Sequence, residues 1–420
     1  MKNHNFKFKN NLLFVENISV PSIIEKLGTP LYIYSKKAIL EAWDSYYQAI
    51  KNRNCLVCYG MKANSNLAVL KEFSKLGSGF DIVSGGELER VLAIKADPKK
   101  VVFSGVGKQS WEIEKAIKAG IKCFNVESEA ELHNISRIAK HFGLVAPISL
   151  RVNPDVDANT HPYISTGLKE NKFGISINTA FDCYQVASKL PNIDIVGIDC
   201  HIGSQLTEIK PFIDSLEKII LLINKINTYG IQIKHIDIGG GIGIQYKEES
   251  CISPKELIDK VFDKLEDNNL EHLQVILEPG RSLIGNAGIL VTKVQYLKES
   301  EDRNFAIVDA AMNDLIRPAL YHSYHEIVTV VERNVAKKEY DVVGPICESS
   351  DWLAKNRLLN ELQEGELLAI ESIGAYCMTM ASNYNTRGRA AEIMVDKSDY
   401  YIIKRRETID DLLRLESTIS

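Results

Sequence analysis

The sequence predicts an α/β protein: a (β/α)8 TIM-type barrel joined to a second, mainly β domain. Two observations predict the barrel. Between residues 36 and 285, short β-branched runs alternate with charged stretches of helical period, about eight times over, as βαβ units closing a parallel sheet would. The chemically distinctive residues also follow those runs one after another: Lys62, Asp81, Ser104, Glu127, Arg151, His201, Gly239–Gly241 and Glu278. In a barrel these positions ring one mouth, whereas a doubly wound open sheet would spread them along an edge. A third observation predicts the second domain, since after residue 285 the helical period fades and strand-like runs dominate.

A chain of 420 residues exceeds one ordinary core. The expected division is a barrel over residues 36–285 and a β-rich domain formed by 1–35 with 286–420. The runs read as barrel strands are Leu56–Tyr59, Gly79–Val83, Val101–Ser104, Cys123–Val126, Ile148–Val152, Ile195–Cys200, His235–Ile238 and Val275–Leu277. Amphipathic stretches such as Glu87–Lys95 and Ser110–Ala119 lie between them. In the second domain the strand-like runs are Ile289–Tyr296, Phe305–Val308, Glu326–Val331, Glu366–Ser372, Ala391–Val395 and Tyr400–Lys404. Helical pattern is read there only at Leu358–Gln363 and in the acidic tail. Leu31–Tyr34, after the Gly28-Thr29-Pro30 turn, is a β-prone lead.

Composition excludes several functions. A net charge of −5 gives no electrostatic footprint for nucleic acid. The apolar stretch at Ile219–Ile226 is interrupted by Lys225, so no membrane span is expected. MKNHNFKFKNN is not followed by an apolar segment, so no signal peptide is expected and the location read is cytoplasmic. Eight cysteines are scattered, and Cys55 and Cys58 form a lone C-x-x-C with no second pair. Reduced thiols and no metal are the expectation.

Several short stretches carry chemistry. Lys62 ends the run Cys58-Tyr59-Gly60-Met61, where desolvation would prepare an amine for nucleophilic or Schiff-base chemistry; a surface-loop lysine is the other reading. The glycines of Ile238-Gly239-Gly240-Gly241-Ile242-Gly243 suit either a phosphate cradle or a tight turn. Glu278-Pro279-Gly280-Arg281 can be an internal ion pair, or a carboxylate and a guanidinium delivered into the mouth. His201, in His-Ile-Gly-Ser204-Gln, can be a core histidine, a stacking ring or an acid–base group. Beyond the barrel, Arg317 and Tyr321 stand four apart. Cys347 lies beside Glu348 and near Asp351, and can be a buried small hydrophobe or a thiol that keeps its proton and suits a donor better than a nucleophile. Tyr376 follows a Gly-Ala turn.

Together the segments YGMKAN, HIGSQ, GGGIG, EPGRS, RPALYH, GPICESSD and GAYCMTMASNYN resemble the alanine-racemase-like (fold type III) decarboxylases that use pyridoxal 5′-phosphate (PLP), most closely their diaminopimelate-specific branch. The likeness runs from about Gly28 to Arg389, with the motifs in the family's order and spacing. It implies that Lys62 holds the cofactor as a Schiff base, that Glu278 faces the pyridine nitrogen, and that His201 stacks on the ring. Asp81 supports the site, and Ser204, Gly240, Gly241 and the Gly280-Arg281 backbone cradle the phosphate. Tyr376 reaches cofactor or substrate. Arg281, Arg317 and Tyr321 grip the distal carboxylate of meso-2,6-diaminopimelate, Glu348 takes the distal ammonium, and Cys347 returns the proton that yields L-lysine. The resemblance further implies a homodimer with shared sites. Related decarboxylases acting on ornithine, arginine or carboxynorspermidine are the neighbouring readings, and only the last substrate would also give the arginines a carboxylate. Gly60-Met61, Cys377 and Gly388 depart from the family pattern. The polar loop His161–Phe173 is expected to be mobile.

Overall fold

The computed structural model describes residues 3–156 and 171–419. Most of the polar loop expected to be mobile, residues 161–170, therefore lies outside the described residues. The chain forms two compact units: Trp43–Ile244 with Ser250–Ser282, and Met1–Ala42 with Gln245–Glu249 and Leu283–Ser420.

The first unit is a closed parallel barrel. Its strands are Cys55–Gly60, Gly79–Ile82, Val101–Phe103, Cys123–Val126, Ala146–Asn153, Ile193–Asp199, His235–Asp237 and Gln274–Leu277. Each pairs with the next, and the last closes on the first through Val275↔Cys55, Ile276↔Leu56 and Leu277↔Val57. Helices follow the strands, most with an N-cap the sequence supplies. Ser84, Ser128 and Ser253 accept from the backbone N–H three residues on, satisfying an otherwise orphaned donor.

Alternation along these strands builds the interior in layers. Cys58, Val102, Cys123, Val196 and Ile276 form an apolar cluster low in the barrel. Gly197 leaves room there for the His235 ring, whose Nε2 would lie 2.1 Å from a Cβ at that position. Further toward the C-terminal ends of seven of the strands, the inward positions turn polar: Asp81, Ser104, Asn125, Arg151, Asp199, Asp237 and Glu278, all buried. The hydrophobic floor thus gives way to a charged layer at the C-terminal mouth.

The second unit is mainly β. Its large sheet runs in the order Trp352–Asn360, Lys337–Val343, Asn304–Val308, Gly288–Glu299, Leu31–Ser35, Ala391–Asp396, Asp399–Lys404. Ile327–Thr329 and Leu367–Ile370 pair at its side, and Phe6–Lys9, Leu12–Val15 and Ile18–Ser19 form a small antiparallel sheet. The lead strand Leu31–Ser35 lies inside the large sheet, antiparallel to Gly288–Glu299 (Ile33↔Ile289) and parallel to Ala391–Asp396 (Ile33↔Ile393). One reading is corrected. Leu358–Gln363 is not helical, because Leu358, Leu359 and Asn360 pair with Glu339, Lys338 and Lys337. That partner, Lys337–Val343, had no apolar alternation to announce it. Cross-strand pairing overrode local helix propensity.

Candidate active site

The barrel mouth assembles from strand ends. Lys62 lies in the single turn Met61–Ala63 that follows the first strand, and its Nζ is 3.1 Å from Asp81 Oδ2 on the second. The expected desolvation is not found: the lysine side chain is 43% exposed, and an ion pair with a fully buried carboxylate holds it instead. Asn66 caps the next helix by accepting from Ala68 N, so the segment turns sharply after the lysine.

Across the mouth, Glu278 Oε1 receives Asn125 Nδ2 at 3.3 Å and Ser104 Oγ at 3.5 Å. Carboxylate oxygens of Asp199, Asp237 and Glu278 all lie within 4.8 Å of one another, the only such cluster among the described residues. Three like charges this close cannot all ionise cheaply. Burial and the neighbouring Asp237 push the Glu278 carboxyl well up, Asp199 moves the same way, and burial pushes Asp237 up to about 7. Arg151 answers part of this charge. Its Nη1 is 2.9 Å from Glu127 Oε1 and its Nε 3.9 Å from Asp199, and the Phe173 ring covers the guanidinium at 4.9 Å. Glu127 also receives the N–H groups of Gly105 and Gly174. Arg151→Met would leave buried acids unpaired and should cost about 3–5 kcal/mol, read as a lowered urea midpoint of the barrel's unfolding.

His201 ends the sixth strand's extension. Gly240 N donates to its Nδ1 at 3.3 Å, and burial with Arg151 nearby drives its pKa well below the ordinary value. The ring is therefore neutral, with its proton on Nε2. Gly240 and Gly241 are required by close approach: a Cβ at Gly240 would meet Glu278 O at 2.2 Å, and one at Gly241 would meet Gly203 O at 2.6 Å. Arg281 is buried, with Nη2 donating to Ser204 Oγ at 3.0 Å. Lys62, Asp81, His201, Ser204, Gly240, Gly241, Glu278, Gly280 and Arg281 therefore share the barrel unit.

The remaining predicted residues belong to the second unit. Arg317 is buried at the start of the helix Arg317–Tyr321. Cys347 and Glu348 are exposed, and Glu348 is engaged by the Tyr384 hydroxyl and by Ser350 Oγ at 3.2 Å. Asp351 fixes their loop by accepting from Met312 N and Ile346 N, each at 2.7 Å. Tyr376 is held at φ 59°, an uncommon conformation for an aromatic residue and one that clusters at functional sites. Sequence reasoning missed Asn125, Asp199, Asp237, Tyr246 and His325. The first three sit inside strands, and counting back two positions from Glu127, His201 and Gly239 could have found them.

The mouth fits PLP on its own chemistry. A glycine cradle admits an anion, a lysine stands beside a buried acid, a neutral imidazole offers a flat face, and a carboxylate layer with Asp81 Oδ1 and Asp199 Oδ1 lacking hydrogen-bond partners among the described residues favours a cationic ring nitrogen. The fold and this mouth define the pyridoxal-dependent decarboxylase class, and residues 36–285 match the family model described as "Pyridoxal-dependent decarboxylase, pyridoxal binding domain". Over 416 residues the chain is 53% identical to the diaminopimelate decarboxylase of Haemophilus influenzae, covering 99% of each. It resembles the crystal structure of diaminopimelate decarboxylase from Helicobacter pylori complexed with L-lysine (TM-score 0.90, 42% identity, 94% of this chain and 98% of that one). It also resembles the M. jannaschii diaminopimelate decarboxylase structure with L-lysine (TM-score 0.95, 38% identity, 100% and 99%). The chain belongs to the diaminopimelate decarboxylase family.

Proposed function

We propose that this chain decarboxylates meso-2,6-diaminopimelate to L-lysine and CO2, the last step of lysine biosynthesis, with PLP as cofactor. The observation that carries the reading is the pairing, in one barrel mouth, of Lys62 on Asp81 with the buried acid Glu278 set on a carboxylate floor. When bound, PLP supplies an electron sink for the charge left by CO2 loss. Lys62 anchors it, and Asp81 orients the amine. Glu278 holds the proton on the pyridine nitrogen, which its acidic surroundings favour. Neutral His201 would offer its flat face to the ring without competing for that proton. Ser204, Gly240, Gly241 and the Gly280-Arg281 backbone take the phosphate, and Tyr376 completes the site.

Substrate choice follows from charge. Arg281, Arg317 and Tyr321 bind the distal carboxylate, for which paired guanidinium N–H groups are the suited donors. Glu348 takes the distal ammonium, and Cys347 delivers a proton to the α-carbon. The exposure of Cys347 and Glu348 supports a homodimer in which this loop serves the partner's site. No described helix is long and apolar enough to cross a membrane, which is compatible with a cytoplasmic enzyme.

The test is CO2 release by the PLP-loaded protein offered meso-diaminopimelate, L-ornithine, L-arginine and carboxynorspermidine in parallel. Release from diaminopimelate with equimolar lysine is expected. Release from another substrate alone would keep the cofactor reading and overturn the roles of Arg281, Arg317 and Glu348.

The acid cluster sets a second expectation. An unfolded aspartate titrates near about 4, so folding takes up a proton at Asp237 between there and about 7. Its contribution to stability is fullest at low pH and is lost as pH rises toward 7. In the cofactor-free protein, Asp237→Asn should therefore gain melting temperature relative to the parent between pH 5 and pH 8. A difference that stays flat across that range would count against a raised Asp237.

A further inference from the structure

The arginine assigned to the distal carboxylate has a scaffold of its own, built from two residues the sequence did not single out. Arg317 Nη1 carries two hydrogens and has two acceptors: Tyr246 Oη at 3.2 Å and His325 Nε2 at 3.0 Å. On the far side of the imidazole, His325 Nδ1 lies 3.0 Å from the carbonyl oxygen of Glu371. A carbonyl only accepts and a guanidinium only donates. The proton must then sit on Nδ1, leaving Nε2 bare and the ring neutral. His325 is fully buried, and its ring meets that of Tyr246 edge-on at 5.4 Å and 83°. The guanidinium carbon lies 5.2 Å from the Tyr246 ring centroid, and Arg357 Nη2 ties the His325 carbonyl at 3.0 Å. All of these groups belong to the second unit.

We propose that His325 and Tyr246 are positioning residues that fix which edge Arg317 offers to substrate. With both Nη1 hydrogens spent, the end-on pair of the guanidinium is closed to a ligand. A carboxylate meets the Nε/Nη2 edge, where two parallel N–H groups match its two oxygens. The guanidinium's contact with the Cys377 thiol is to a weak acceptor that a carboxylate outcompetes. Cys377, a departure from the family pattern, thus leaves the edge usable. This inference rests on the reading of Arg317 as the carboxylate clamp.

The test compares L-lysine with cadaverine as competitive inhibitors of the PLP-loaded enzyme, because the two amines differ only by the carboxylate in question. In His325→Asn the shorter amide keeps a donor for the Glu371 carbonyl and loses the acceptor for Arg317. In His325→Gln the amide oxygen reaches the Nε2 position and retains that acceptor. His325→Asn should weaken L-lysine about tenfold, one charge-assisted hydrogen bond's worth, and leave cadaverine within about twofold. His325→Gln should restore most of the L-lysine preference, and Tyr246→Phe should lose part of it. Equal weakening of both amines by His325→Asn, with no rescue by glutamine, would mean a merely structural histidine and overturn the proposal. Arg317→Met separates the two readings. If it abolishes the L-lysine preference while His325→Asn preserves it, only the positioning role falls. If Arg317→Met leaves the preference intact, the clamp itself falls and the positioning role with it.

Discussion

Lys62→Ala should reduce turnover by at least about 10³-fold and remove the visible absorbance of bound PLP, with the protein still folded by circular dichroism. The exposed, ion-paired position of Lys62 means that its loss removes little packing. A mutant that kept both absorbance and activity would remove Lys62 from the chemistry altogether. Loss of activity with the absorbance retained would place the anchoring amine elsewhere.

Cys347→Ala should do the opposite to the spectrum: absorbance unchanged, turnover down by about 10²–10⁴, the range of a lost general acid. The loop that carries Cys347 is held by Asp351 and not by the thiol, so its conformation should survive the change. Unchanged turnover would refute the donor role. Mixing the Lys62→Ala and Cys347→Ala proteins tests the shared site as well. In a symmetric dimer, random exchange makes half the dimers mixed, each with one intact lysine–cysteine pair, and about a quarter of the parent activity should return. No recovery after verified exchange would confine each site to one chain.

How much of this was legible beforehand varies with the physics. Lys62, His201, the glycine run and Glu278 announce themselves because each breaks the pattern of an apolar strand at its end, where a barrel builds chemistry. Asp199 and Asp237 do not, since an acid inside a short strand looks like solvent-facing alternation until the barrel closes and turns it inward. Leu358–Gln363 misled because leucine, glutamate and glutamine favour helices locally, whereas pairing with Lys337–Val343 is non-local. The desolvation argument for Lys62 failed for a similar reason, because only the fold reveals that Asp81 stands beside it.

The sequence by itself determined the barrel, which follows from periodicity, and through the family resemblance of its motifs the class of cofactor chemistry and the residues proposed to serve it. Only the tertiary structure decided the protonation of the acid layer, the neutral tautomers of His201 and His325, and the edge that Arg317 presents. Those properties depend on burial and on partners far apart in the chain, such as Tyr246, Arg317, His325 and Glu371, which only folding brings within hydrogen-bonding distance.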